Sequence, residues 1–221
     1  MKTRPIMTLT GLLLLFAILF CLTRGLLSPV RPQREEALAD AVLQSRRAEI
    51  RRNAKEENMK TIYLAGGCFW GTQKFLDQFP GVLETETGYA NGSTDHPSYR
   101  DVCQGSGHAE TVRVVYDESV LSLDQLLDYY FMSIDSLSVN RQGGDTGIQY
   151  RTGIYYEDDS LLPGIQKAWD RKAAQAGQDL AVEVLPLDRF WPAEEYHQKY
   201  LDKNPGGYCH IPYKLLHLNR P

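Results

Sequence analysis

TIYLAGGCFWGTQKFLDQFPG, residues 61–81, reads as a strand that turns through two glycines into a helix. Residues 61–65 form a short β-type run closed by Gly66-Gly67. From Cys68 to Phe79 the apolar residues Phe69, Phe75, Leu76 and Phe79 recur at near-helical spacing, until Pro80-Gly81 stops the helix. Outward from this unit, 82–89 is strand-like and 90–107 is a long polar loop. Residues 109–116 alternate, with Val112 and Val114 on one face and Val115 on the other, as a half-buried strand does. Ser122, with Gln125 three residues on, caps a helix whose apolar face is Leu123, Leu126, Leu127, Tyr130 and Phe131. A second polar loop, 135–149, precedes the strand 150–156. Polar loops this long inside a compact domain are usually functional.

The order β-α-β-β-α-β predicts an α+β fold of the ferredoxin-like plait type, one antiparallel sheet with both helices on one face. C-terminal extensions are expected: a helix over 160–176, a strand over 181–185 and a short helix over 193–201. An irregular tail containing Cys209 follows Asn204-Pro205-Gly206-Gly207. Residues 61–221 make one domain, and ~160 residues suffice for one core.

The N-terminal part differs in kind. Lys2 and Arg4 precede an apolar stretch, 6–22, broken only by Thr8, Thr10 and Gly11. Its length is at the short end for spanning a bilayer, and no small-x-small cleavage site follows closely. Residues 1–22 are therefore expected to be an uncleaved membrane anchor, with a cleaved signal segment or a buried helix as alternatives. An extracytoplasmic folded domain is the preferred orientation, although Arg24, Arg31 and Arg34 blunt the charge bias. Residues 23–60 carry Pro29 and Pro32 and then a run rich in Glu, Ala and Arg with a thin apolar stripe (Leu38, Val42, Leu43, Ile50), a solvated helical linker.

Net charge −4 over 221 residues argues against a nucleic-acid binder. Four scattered cysteines (Cys21, Cys68, Cys103, Cys209) fit reactive or buried thiols better than a disulfide scaffold. Cys68, between Gly67 and Gly71, stands at the first turn of a helix, where unpaired N–H groups and the macrodipole favour a thiolate. The bland alternative is a small buried hydrophobe. Phe69 and Trp70 are either an aromatic wall beside the sulfur or core.

The segments GCFWG (67–71), TGYANG (87–92), YRDVC (99–103), GHAE (107–110), NRQG (140–143), Asp145, Gly147, QYR (149–151), EYHQ (195–198) and NPGGYC (204–209) together resemble the A-type peptide methionine sulfoxide reductases, in the family's order. The resemblance covers about residues 60–215. One departure is visible: the loop Gln104-Gly105-Ser106 is one residue shorter than the commonest family pattern, near Glu110 but without loss of a reacting group.

The resemblance implies repair of oxidised proteins by reduction of methionine S-sulfoxide, protein-bound and free, without a cofactor. It makes Cys68 the nucleophile and Glu110 the acid, with hydroxyls from Tyr99 and Tyr150, Asp145 as positioning carboxylate, and Phe69 and Trp70 as the substrate wall. A sulfoxide oxygen leaves only when protonated or strongly hydrogen-bonded, so an acid beside the thiol makes chemical sense. The resemblance further implies that Cys209 resolves a Cys68 sulfenic acid to a disulfide, reduced by thioredoxin or a thioredoxin-like partner. No cysteine follows Cys209, so the shuttle is expected to stop there; Cys103 is expected to pack rather than react. Taken alone, Glu110 fits a solvated strand end, Tyr99 and Tyr150 ordinary tyrosines, and Asp145 a turn. A cysteine hydrolase using His108 or His197 would not need Cys209. A zinc site from Cys209-His210 with His197 or His217 lacks paired ligand spacing. A tethered, non-enzymatic binding module leaves the cysteines and their polar loops unexplained.

Overall fold

The computed structural model describes residues 31–53 and 58–218. The chain divides into two compact units, 1–42 and 43–221. The expected anchor at 1–22 lies outside the described residues, and no helix among those described is long and apolar enough to cross a membrane. Helix α1, Arg31–Asn53, runs through the expected linker, and none of its described side chains (37–52) is buried.

Among the described residues, eight strands and five further α-helices follow: β1 Met59–Gly66, α2 Phe69–Leu76, β2 Val82–Ala90, α3 Tyr99–Cys103, β3 Ala109–Asp117, α4 Leu123–Ser133, β4 Arg141–Gln142, β5 Asp145–Thr146, β6 Thr152–Tyr156, α5 Leu162–Ala176, β7 Glu183–Pro186, β8 Phe190–Pro192 and α6 Tyr200–Lys203. Six strands form one sheet in the order β7-β6-β1-β3-β2-β8, and β4 pairs with β5 in a separate hairpin. The pairs β6·β1, β1·β3, β3·β2 and β2·β8 are antiparallel. The added strand β7 instead runs parallel to β6. The sheet is therefore mixed rather than wholly antiparallel, because helix α5 carries the chain back across the sheet before β7 begins, as a parallel pairing requires.

Period-two alternation sorts the strands into two faces. Ile62, Leu64, Val112, Val114 and Ile154 join Phe75 and Leu76 of α2 and Leu126, Leu127 and Tyr130 of α4 in the main core. Tyr63, Ala65, Ala90, Ala109 and Tyr155 form a smaller cluster, with Leu187 and Phe190 packed against it. The predicted face of α4 is buried at all five positions, and Ser122 and Gln125 make the reciprocal capping box. The Tyr130 hydroxyl donates to the Ala65 carbonyl at 2.7 Å, fixing α4 at the end of β1 where the Gly-Gly turn begins.

Two further expectations are corrected. The loop 90–107 contains α3, opened by a second capping box in which Ser98 accepts from the Asp101 N–H and Asp101 accepts from the Ser98 N–H. The helix expected over 193–201 is not there: β8 ends at Pro192, turns occupy 195–199, and only Tyr200–Lys203 is helical. Lys199 sits at φ 52°, a left-handed conformation that no right-handed helix continues through.

Candidate active site

The end of β1 and the start of α2 build the site. Gly67 takes φ 79°, and a β-carbon there would lie 2.5 Å from Gln142 Cβ, so conformation and space both demand glycine. Gln142 is buried, and its side-chain amide clamps the backbone of Asp135 in both directions at 2.8 Å. The second polar loop is thereby held against the turn that presents the cysteine. Thr72 ties the first turn of α2 back to the Gly66 carbonyl at 3.1 Å.

Cys68 caps α2 and is buried. The helix start was expected to favour its thiolate; the structure reverses that balance. Burial pushes the Cys68 thiol up and the Glu110 charge adds to it, while a hydrogen bond from the Trp70 N–H opposes them only in part. The neighbouring donor is already used, since the Phe69 N–H donates to Glu110 Oε2 at 3.1 Å.

Glu110, on β3, is no solvated strand end. It is 1% exposed, and burial lifts its carboxyl to about 8, against the Phe69 N–H and helped by the charge of Asp145. At neutral pH it is a carboxylic acid beside the cysteine. Tyr99, at the start of α3, and Tyr150, in the 3-10 turn Ile148–Tyr150, are hydrogen-bonded to each other. Burial and then the Glu110 charge raise both phenols, so each keeps its proton. Asp145, on β5, completes the group: its charge also raises Cys68, Cys209 and Tyr150, and it is hydrogen-bonded to Tyr208.

The two aromatic residues part company. Phe69 is buried in the core, 5.8 Å from the Tyr89 ring and 5.0 Å from that of His197, whereas Trp70 keeps accessible surface. Trp70 is held on both sides: its Nε1–H donates to His197 Nδ1 at 2.9 Å, and its ring stacks on Tyr200 at 3.8 Å. The Tyr99 ring meets His197 edge-on at 4.6 Å. Glu194 accepts from the Tyr99 N–H and the Tyr89 hydroxyl, at 2.9 and 2.7 Å.

Cys209 reaches the same place from the tail. A β-carbon on Gly71 would lie 2.7 Å from its sulfur, so the second glycine of the motif makes room for it. Burial raises the Cys209 thiol, and the Asp145 charge adds to that. Cys68, Cys103 and Cys209 are all free thiols, and Cys103, expected to pack, is instead exposed at the end of α3. Among the described residues no group of three or more His, Cys, Asp or Glu is placed to hold a metal ion.

All eight expected site residues thus converge on the Gly67–Gly71 turn and its surroundings. His197, Tyr200, Glu194, Tyr208 and His210 were given no catalytic or substrate-binding role in the family reading, although His197, Tyr208 and most of their neighbours fall in the quoted motifs. A histidine 127 residues from the indole it accepts from has no signature in spacing.

A family model for peptide methionine sulfoxide reductase matches residues 60–219. Among similar curated proteins, the peptide methionine sulfoxide reductase MsrA of Lachnoclostridium phytofermentans is 56% identical over 153 residues, covering 69% of this chain and 92% of its own. That of Clostridium acetobutylicum is 52% identical over 159 residues, covering 72% and 98%. Two solved structures are similar in fold. Mxr1 from Saccharomyces cerevisiae in reduced form has a TM-score of 0.68 and 36% identity over 72% of this chain and 94% of its own. Methionine sulfoxide reductase A of Corynebacterium diphtheriae has 0.63 and 37% over 70% and 84%. With these matches over most of its folded part, and with buried Cys68 and Glu110 meeting at the start of α2, the chain belongs to the peptide methionine sulfoxide reductase family.

Proposed function

We propose that the chain reduces methionine S-sulfoxide, in proteins and as the free amino acid, with Cys68 as nucleophile and Glu110 as acid. The observation that carries this reading is the burial of Glu110 beside Cys68, which keeps its carboxyl protonated up to about pH 8. As the Cys68 sulfur attacks the sulfoxide sulfur, Glu110 protonates the sulfoxide oxygen, which the phenols of Tyr99 and Tyr150 hydrogen-bond, and the proton leaving Cys68 replaces the one that Glu110 gives up. That oxygen passes to Cys68 as a sulfenic acid and methionine departs. Trp70, braced by His197 and Tyr200 above the buried Phe69, forms the apolar wall for the methyl group. Asp145 holds the polar end; its Oδ2 is buried without a hydrogen-bond partner.

Cys209 then attacks the sulfenic sulfur, giving a Cys68–Cys209 disulfide and water, and a thioredoxin-like dithiol restores both thiols. The space at Gly71 supports this pairing. The inner strand order β6-β1-β3-β2, all antiparallel, with α2 and α4 in one core, supports reading the centre of the fold as a ferredoxin-like plait. For location, the apolar run 6–22 supports a tether with the catalytic domain outside the cytoplasm.

The test is steady-state reduction of the separate S and R epimers of a methionine sulfoxide peptide with dithiothreitol. The proposal requires turnover of the S epimer. Turnover of the R epimer alone, or of neither, overturns it.

A further inference from the structure

We propose that His210 is the general base of the resolving step, taking the proton from Cys209 as that sulfur attacks the oxidised Cys68. The proposal deepens the reading above and rests on Cys209 being the resolving thiol.

The imidazole is packed between the two glycines that bracket Cys68. A β-carbon at Gly67 would lie 3.1 Å from His210 Nε2, and one at Gly71 would lie 3.5 Å from His210 Nδ1 and Cε1. The same Gly71 position is 2.7 Å from the Cys209 sulfur, so the ring and the thiol share one spot on the first turn of α2. On the far side the Cβ of His210 rests on Gly143, at 3.0 Å from a β-carbon there. Both ring nitrogens are buried and neither makes a well-formed hydrogen bond. Burial lowers the imidazole, and only the Asp145 charge and the Gly66 carbonyl oppose it. The ring is therefore neutral near pH 7, with one nitrogen free to accept a proton.

The step needs such a group. The thiolate is the nucleophile, yet burial raises the Cys209 thiol, the Asp145 charge adds to that, and the Ile211 N–H opposes it only in part. The titratable groups that reach the ring are Asp145, whose charge raises it, and Cys209, which borders the same Gly71 position; a protonated imidazole would balance the Asp145 charge. As the S–S bond forms, the S–O bond of the Cys68 sulfenic acid breaks. The Cys209 proton passes to His210 and then to the departing hydroxide, which leaves as water. One sulfenic acid and one thiol are consumed, one disulfide and one water are produced, and His210 ends neutral.

The test is a single turnover of the full chain with one equivalent of S-sulfoxide and no external reductant, in the unsubstituted protein, His210→Asn and His210→Gln. Methionine release and disulfide formation are followed separately by quenched alkylation and mass measurement. In both variants disulfide formation should slow ~10²-fold, the usual scale for a lost general base, while the loss does not fall on methionine release. The slowed step should accelerate with pH as hydroxide replaces the base, whereas the unsubstituted rate stays flat from about pH 7 to 9. Disulfide formation within threefold of normal in both variants, or methionine release slowed in parallel, overturns the proposal. So does an unsubstituted rate that climbs tenfold per pH unit. No Cys68–Cys209 disulfide in the unsubstituted protein would instead remove the resolving role of Cys209, and the proposal with it.

Discussion

Glu110→Gln separates the acid's chemistry from its burial. The carboxyl titrates at about 8 in the folded protein against an ordinary value of 4.5. Below pH ~4.5 folded and unfolded chains are both protonated and the group has no effect on stability. Between ~4.5 and ~8 the unfolded chain releases the proton while the folded one keeps it, so stability falls as pH rises. The decline is complete once the folded group ionises. At about 1.4 kcal/mol per pKa unit, the 3.5-unit gap sets an upper figure of about 5 kcal/mol. Glutamine has no proton to lose and keeps an oxygen for the Phe69 N–H. The stability of Glu110→Gln relative to the unsubstituted protein should therefore rise by up to about 5 kcal/mol from pH ~4.5 to ~8.5, read by urea unfolding. Catalysis moves the other way. Methionine release in a single turnover should drop by ~10²-fold at neutral pH, and the fall in rate above pH ~8 caused by ionisation of Glu110 should vanish. A stability difference that stays constant with pH would refute the buried, protonated carboxyl, and an unchanged release rate would refute its role as acid.

Gly71→Ala should slow disulfide formation while leaving methionine release nearly intact, because the new methyl meets the Cys209 sulfur; quenched single-turnover analysis reads the split, and equal slowing of both steps would contradict it. His197→Phe should leave the Trp70 N–H without its partner, costing roughly 1–3 kcal/mol in thermal or urea unfolding and raising KM for a peptide sulfoxide. Leu126→Ala, at a wholly buried position of α4, should cost ~2–5 kcal/mol in urea unfolding. For the tether, fractionation of untagged protein with intact-mass measurement should find the full-length chain in the membrane fraction; a full-length soluble cytoplasmic protein would contradict it.

Much of this architecture was legible in residue order. The Gly-Gly turn before Cys68, the alternation of 109–116 and the Ser122–Gln125 box each expressed a local rule that packing then obeyed. Short elements were not. Helix α3 has five residues, too few for a hydrophobic period, although Ser98 and Asp101 stand at capping-box spacing. The run 193–201 looks helical until Lys199 takes a left-handed conformation, with its N–H donating to Gln73 Oε1 from another element. The site divided along the same line. Motifs located Cys68, Glu110 and Cys209, but their protonation depends on burial, which joins β1, β3, β5 and the tail across more than 140 residues. That is why burial raises the Cys68 thiol at a helix start that favours thiolate in isolation. The place of His210 against Gly67 and Gly71 is equally a product of the fold.

The central claim is that Cys68 takes the sulfoxide oxygen and Cys209 removes it. Its most direct test is a single turnover of Cys209→Ser with excess methionine S-sulfoxide, with mass analysis after dimedone trapping. One equivalent of methionine per protein, a dimedone adduct on Cys68 alone, and no methionine from Cys68→Ser are expected. Methionine from Cys68→Ser, or an adduct on another residue, would contradict it.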